Sequence, residues 1–87
     1  MVYRLQFTPG AKRDVRRLDA RYARRIVQKL QELAEHAEAA QHKALVGQWK
    51  GLYSLRVGDY RALYLLKRDQ KLLVVETIGH RREIYDK

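Results

Sequence analysis

Residues 53–64, Tyr-Ser-Leu-Arg-Val-Gly-Asp-Tyr-Arg-Ala-Leu-Tyr, alternate apolar and polar side chains on both sides of Gly58-Asp59. That pattern predicts a β-hairpin closed by a two-residue turn. With Val57 and Tyr60 flanking the turn, pairing outward sets Arg56 opposite Arg61, Leu55 opposite Ala62 and Tyr53 opposite Tyr64. Like charges directly opposite one another destabilise a sheet by up to about 1 kcal/mol. Two arginines in that position either hold an anion between them, with phosphate the first candidate, or splay apart into solvent on an exposed face.

The rest of the chain is placed around this hairpin. Val2, Arg4 and Gln6 alternate with Tyr3, Leu5 and Phe7, a short strand with the Tyr3, Leu5 and Phe7 face buried. Thr8-Pro9 joins an N-cap threonine to proline at the first helical position, and Ala11, Val15 and Leu18 follow at helical spacing. Lys12, Arg13, Arg16 and Arg17 form the outer face of that helix. Asp19 caps a second helix in which Tyr22, Ile26, Leu30, Leu33 and Ala37 make one apolar stripe. Its charges are segregated, with Arg21, Arg24, Arg25 and Lys29 ahead of Glu32, Glu35 and Glu38. Both blocks oppose the helix dipole, at a cost of roughly a few tenths of a kcal/mol per charge near the ends, so helix stability does not explain them. The pattern is either a solvated face or a basic flank for RNA beside an acidic end that orients a partner. Residues 43–50 read as a connecting loop, with Trp49 placed to close one end of the core or to stack a base. After the hairpin, residues 67–71 form a polar turn into a Leu- and Val-rich strand over residues 72–79. The order β-α-α-β-β-β describes one α+β domain over residues 1–87, a helical hairpin packed on a sheet.

Lysine and arginine number 19 against 10 acidic residues, a formal charge of +9. Such an excess calls for a polyanionic partner or a neutralising acidic one, and nucleic acid comes first because cations that meet phosphates release condensed counterions. No basic amphipathic helix carries the large apolar face that a membrane surface requires, and the apolar runs are far short of a membrane span. Cysteine is absent, which removes disulfides and thiolate sites and fits a reducing compartment. His36, His42 and His80 lack compact ligand spacing, so neither a metal nor a cofactor is expected. These features describe a soluble cytoplasmic protein.

Three motifs add to this reading. Lys43-Ala44-Leu45-Val46-Gly47, the Arg56-Val57-Gly58-Asp59-Tyr60-Arg61 centre of the hairpin, and the closing Gly79-His80-Arg81-Arg82-Glu83-Ile84-Tyr85 together resemble RelE-type toxins of the RelE/ParE superfamily, in order and spacing, over nearly the whole chain. The resemblance implies an antiparallel sheet with the helical hairpin on one side and a cleft on the other. It implies an enzyme, an endoribonuclease that cleaves messenger RNA in the ribosomal decoding site, and an acidic, largely helical antitoxin that holds it inactive in a hetero-oligomer. Carried over residue by residue, the catalytic surface is Arg56, Arg61, Arg81 and Tyr85, with Lys50, Ser54, His80 and Arg82 as further RNA-binding positions. Ser54 departs from the pattern, since some members carry lysine there: either a neighbour such as Lys50 or His80 supplies the missing charge, or stabilisation of the transition state is weaker.

The chemistry implied is attack of the RNA 2′-hydroxyl on the adjacent phosphate, leaving a cyclic phosphate and a free 5′-hydroxyl. A base takes the 2′ proton, an acid protonates the departing oxygen, and cations stabilise the phosphorane. Arg56 and Arg61 suit the phosphate, Arg81 the leaving-group side, and Tyr85 the base or a stacking role. Arginine is a poor proton donor and a free tyrosine, of pKa about 10, a poor base, so a ribosome-bound substrate must supply much of the positioning. His80 is an alternative acid or base, or a residue that shapes the strand exit. The competing readings are the ParE branch, which poisons DNA gyrase, and a non-catalytic basic nucleic-acid-binding module.

Overall fold

The computed structural model describes residues 2–85 and, of Tyr85, the backbone alone. Strand β1 (Arg4–Phe7) leads into α1 (Pro9–Arg17) and α2 (Ala20–Glu35). Both helix starts have the chemistry read from the sequence. The Thr8 hydroxyl accepts from the Ala11 amide at 3.1 Å with Pro9 in the first turn, and Asp19 Oδ1 accepts from the Arg21 amide at 2.9 Å. Strands β2 (Lys43–Ala44), β3 (Tyr53–Val57), β4 (Tyr60–Lys67) and β5 (Leu72–His80) follow, and α3 (Arg81–Tyr85) closes the described chain.

The hairpin register is the expected one, residue for residue, from Val57 opposite Tyr60 to Tyr53 opposite Tyr64. Gly58 has φ of 60° while Asp59 is not left-handed, which suits a turn with glycine at its first central position. The strand order is β1-β5-β4-β3-β2, so β5 lies between the first strand and the hairpin. A bulge between β4 and β5 leaves Glu76 without a partner. Leu63 faces Thr77 and Tyr64 faces Val75, and the extra residue lets Leu73, Val75 and Ile78 all reach the core.

The α+β architecture holds, with four refinements. The sheet is antiparallel except at β1, which runs parallel to β5, because the chain returns over the helical hairpin before pairing. Residues 43–50 contain a two-residue strand and a 3₁₀ turn (Gly47–Trp49) instead of a plain loop. Trp49 is half-buried in that turn and stands outside the core cluster. Of the α2 stripe, Ile26 and Leu30 are buried, Leu33 is partly buried and Ala37 is buried just past the helix end, but Tyr22 is 45% exposed, and Ala34, outside the stripe, is buried as well.

The core lies between the helical hairpin and one sheet face, around Ile26, Leu30, Ala62, Tyr64, Leu73 and Val75. The other face is open except where α3 lies over β4 and β5. Gly79 makes room for it: a Cβ there would stand 3.3 Å from Glu83 Oε2 and 3.4 Å from Ile84 Cγ1. No helix among the described residues is long and apolar enough to cross a membrane.

Candidate active site

Alternation along each strand sorts the polar residues between two faces. Tyr60, Ala62 and Tyr64 point to the helical hairpin, so Arg61 and Leu63 point away from it, together with their partners Arg56 and Ser54 on β3. Lys43 of β2 is the partner of Ser54 and stands on the same open face. The face therefore presents Lys43, Ser54, Arg56 and Arg61 from three adjacent strands.

The facing arginines are held by the turn. Arg61 Nη1 donates to the carbonyl oxygens of Gly58 and Tyr60, each at 3.0 Å, and Arg56 Nε reaches the Gly58 oxygen at 3.4 Å. A carbonyl oxygen between two guanidiniums carries in part the negative charge that a phosphate oxygen carries in full, and it offsets their repulsion. Neither guanidinium joins an ion pair among the described residues. Arg56 is exposed and Arg61 half-buried, so the pair is both fixed and accessible.

The start of α3 is tied to the same turn. The Arg81 amide donates to the Asp59 carbonyl at 2.8 Å, which ties an exposed Arg81 to the turn between the two arginines. His80 Nδ1 accepts from the Arg82 amide at 3.2 Å, and its ring meets Tyr60 edge-on at 5.7 Å. As the partner of Tyr60, His80 lies on the helical face, away from Arg61. The register thus sets it on the opposite sheet face from Ser54. Lys50 is exposed at the end of the 3₁₀ turn, at the opposite end of β3 from the arginines. Lys43 is the cation that the fold sets beside Ser54. Its signal was in the sequence, inside the Lys43-Ala44-Leu45 motif, but nothing local predicts a two-residue strand. Tyr85 ends α3, and the role expected of its side chain lies outside the described residues.

Where β1 stops, the free edge of β5 opens into a cleft of about 1030 Å³ between α1 and α3. Arg13, Arg17 and Arg82 line it with Asp14, Asp19 and Glu83, and Tyr60 and His80 lie at one end. The edge is partly closed by side chains: the Thr8 hydroxyl donates to the Glu76 carbonyl at 3.2 Å, and Asp14 Oδ2 accepts from the Ile78 amide at 3.0 Å. Arg56 and Arg61 do not line this cleft, so the basic open face and the edge cleft are separate features that meet at the turn.

The far end of the hairpin is built differently. Tyr64 is 1% exposed, and its hydroxyl lies 2.6 Å from His42 Nδ1, while His42 Nε2 lies 2.7 Å from the Ala37 carbonyl. A carbonyl only accepts, so Nε2 carries the proton and Nδ1 accepts from Tyr64 in the neutral ring. Burial pushes the Tyr64 phenol up to about 12, with Tyr53 adding to it. This network fixes the segment from α2 to β2, and with it Lys43.

Comparison with known proteins agrees with this architecture. Residues 5–85 match the family described as ParE toxin of type II toxin-antitoxin system, parDE. The chain is 29% identical over 85 residues to Toxin RelG of Mycobacterium tuberculosis, covering 98% of each chain. It superposes with TM-score 0.83 and 30% identity on a chain of the toxin-antitoxin complex RelBE2 from the same organism, covering 93% of this chain and 94% of that one. A double mutant of E. coli toxin RelE in the free state gives TM-score 0.79 at 22% identity, over 99% of this chain and 93% of that one, a likeness of fold.

Proposed function

The chain belongs to the family of ParE toxins of type II toxin-antitoxin systems and is a RelE-type toxin, and on that footing we propose that it is a ribosome-dependent messenger RNA endonuclease. The observation that carries this reading is the arginine pair. Arg56 and Arg61 face one another on an open sheet face, gathered on the Gly58 carbonyl oxygen, with Lys43 beside Ser54 on the same face and Arg81 bonded to the turn through its backbone. A pentacoordinate phosphorane gains negative charge on its non-bridging oxygens as it forms, and fixed cations that meet this charge lower the barrier.

In the proposed step the 2′-oxygen of one nucleotide forms a bond to the adjacent phosphorus as its proton leaves to a base. The bond to the 5′-oxygen of the next nucleotide breaks, and that oxygen takes up a proton. Arg56 and Arg61 hold the non-bridging oxygens, Lys43 supplies the charge that Ser54 lacks, and Arg81 stands on the leaving-group side. Tyr85 is assigned to proton removal or to orienting the base. Because arginines move protons poorly, alignment of the messenger by the ribosome supplies the rest. An acidic antitoxin is the proposed partner, and it would cover the basic face and neutralise part of the +9 charge.

The test is to mix purified protein with programmed ribosomes and a defined messenger and to map new 5′ ends. Cleavage inside the decoding site, leaving 5′-hydroxyl ends, is the expected result. An intact messenger at saturating protein overturns the reading. The family description favours one second reading, poisoning of DNA gyrase without RNA chemistry. It predicts loss of supercoiling activity in a gyrase assay and an intact messenger.

A further inference from the structure

Three large apolar side chains are exposed among the described residues: Val2, Val46 and Tyr22. Only Tyr22 is aromatic, and it lies in the first turn of α2 instead of in the core stripe to which its spacing assigned it. Its ring already packs against another aromatic ring. It lies 5.2 Å from the Tyr60 ring, tilted by 40°, and Tyr60 in turn meets His80 edge-on at 5.7 Å. His80 is fixed from behind by the Arg82 amide. Tyr60 is the residue next to Arg61, and it follows the turn whose Gly58 carbonyl gathers the arginine pair.

The three rings therefore form a short ladder that starts at the hairpin turn and ends at a ring 45% open to solvent. Arginines lie near it among carboxylates: Arg25 follows Tyr22 by one turn of α2, Arg21 is paired with Asp19 at 3.6 Å, and Arg17 and Arg82 line the cleft with Asp14, Asp19 and Glu83. An exposed ring on a rigid aromatic support, bordered by arginines, fits single-stranded nucleic acid: bases stack on the ring and the backbone tracks the cations. Preorganisation by Tyr60 reduces the ordering cost of such a contact.

We propose that Tyr22 is a base-stacking residue, a subsite that receives an unpaired RNA base while the adjoining phosphates reach the arginine pair across the turn. This rests on the RNA-cleaving reading above and adds to it a recognition element on the opposite side of the turn. The base belongs either to the messenger or to an unpaired position of ribosomal RNA.

The test compares Tyr22→Ala, Tyr22→Leu and Tyr22→Phe, with Arg61→Ala as the phosphate-side control. Affinity is measured against a fluorescent single-stranded messenger oligonucleotide and against programmed ribosomes, across a range of salt. Losing one stacked base weakens binding by roughly 5- to 100-fold, with the salt slope unchanged, whereas losing a phosphate contact lowers the slope by about 1. Tyr22→Phe should bind like the wild type. Tyr22→Leu keeps an apolar contact for Tyr60 and should show the same loss as Tyr22→Ala, which separates stacking from damage to the fold. Weakening on the oligonucleotide as well as on ribosomes assigns the base to the messenger, and weakening on ribosomes alone assigns it to ribosomal RNA. If Tyr22→Ala and Tyr22→Leu bind both probes like the wild type while Arg61→Ala loses slope, the stacking assignment is wrong and the RNA reading survives. If the wild type binds neither probe, both fall.

Discussion

The two ends of the β3–β4 hairpin each set like residues face to face and treat them in opposite ways. At the base, Tyr53 and Tyr64 stand with ring centroids 5.7 Å apart, and the Tyr64 hydroxyl is enclosed in a chain through His42 to the Ala37 carbonyl. At the turn, Arg56 and Arg61 share the Gly58 carbonyl oxygen, Arg61 also donates to the Tyr60 carbonyl, and neither joins an ion pair among the described residues. Polar groups whose bonds are all made inside the protein stabilise it and are closed to ligands. Groups held in place by weak acceptors, with charge left over, remain available to bind.

The largest effect that would break this contrast is at the turn. Arg61→Ala should lower the single-turnover cleavage rate by roughly 10²-fold or more, with melting temperature little changed and ribosome affinity reduced only by the single phosphate contact that its salt slope reports. Wild-type cleavage by this variant, or its unfolding, would make the pair structural. At the base the signs should reverse. His42→Ala leaves a buried hydroxyl unpaired, at about 1–3 kcal/mol, and should lower the melting temperature by about 4–8 °C per kcal/mol while cleavage per folded molecule is kept. A pH titration sharpens the same point. Between pH 10 and about 12 the unfolded chain releases the Tyr64 proton while the folded chain keeps it, so the unfolded state binds fewer protons and stability falls over that window. Chemical denaturation should be flat with respect to this group below pH 10, and Tyr64→Phe should remove its share of the decline. The smallest effect lies between the two ends. Lys43→Ala should reduce the salt slope of ribosome binding by about 1 and slow cleavage less than Arg61→Ala, whereas Lys50→Ala should leave the rate unchanged.

The hairpin and both helix caps were legible in the sequence because each depends on neighbours in the chain: alternation around Gly58-Asp59, Thr8 before Pro9, Asp19 before an apolar stripe. What was not legible depends on distant partners. Lys43 and Ala44 form a strand only because Ser54 and Tyr53 offer an unpaired edge, so the cation beside Ser54 was sought at Lys50 and His80 instead. Tyr22 has core spacing, yet it lies in the first turn of α2 and remains half open beside the hairpin turn. The arginine register was readable from the sequence. The shared Gly58 carbonyl was not, since it depends on side-chain paths as well as on pairing.

The parallel pairing of β1 with β5 has a consequence in time. Arg4 to Phe7 meet Leu72 to Val75, partners separated by 68 positions in an 87-residue chain, and β5 also supplies the edge on which β4 rests. The β3–β4 hairpin needs only a short loop to close, whereas β1 has no strand to pair with until residues 72–75 have been made. During synthesis the first strand and its helices must wait, and the sheet that carries the arginines is completed only once β5 has emerged to join β1 to β4.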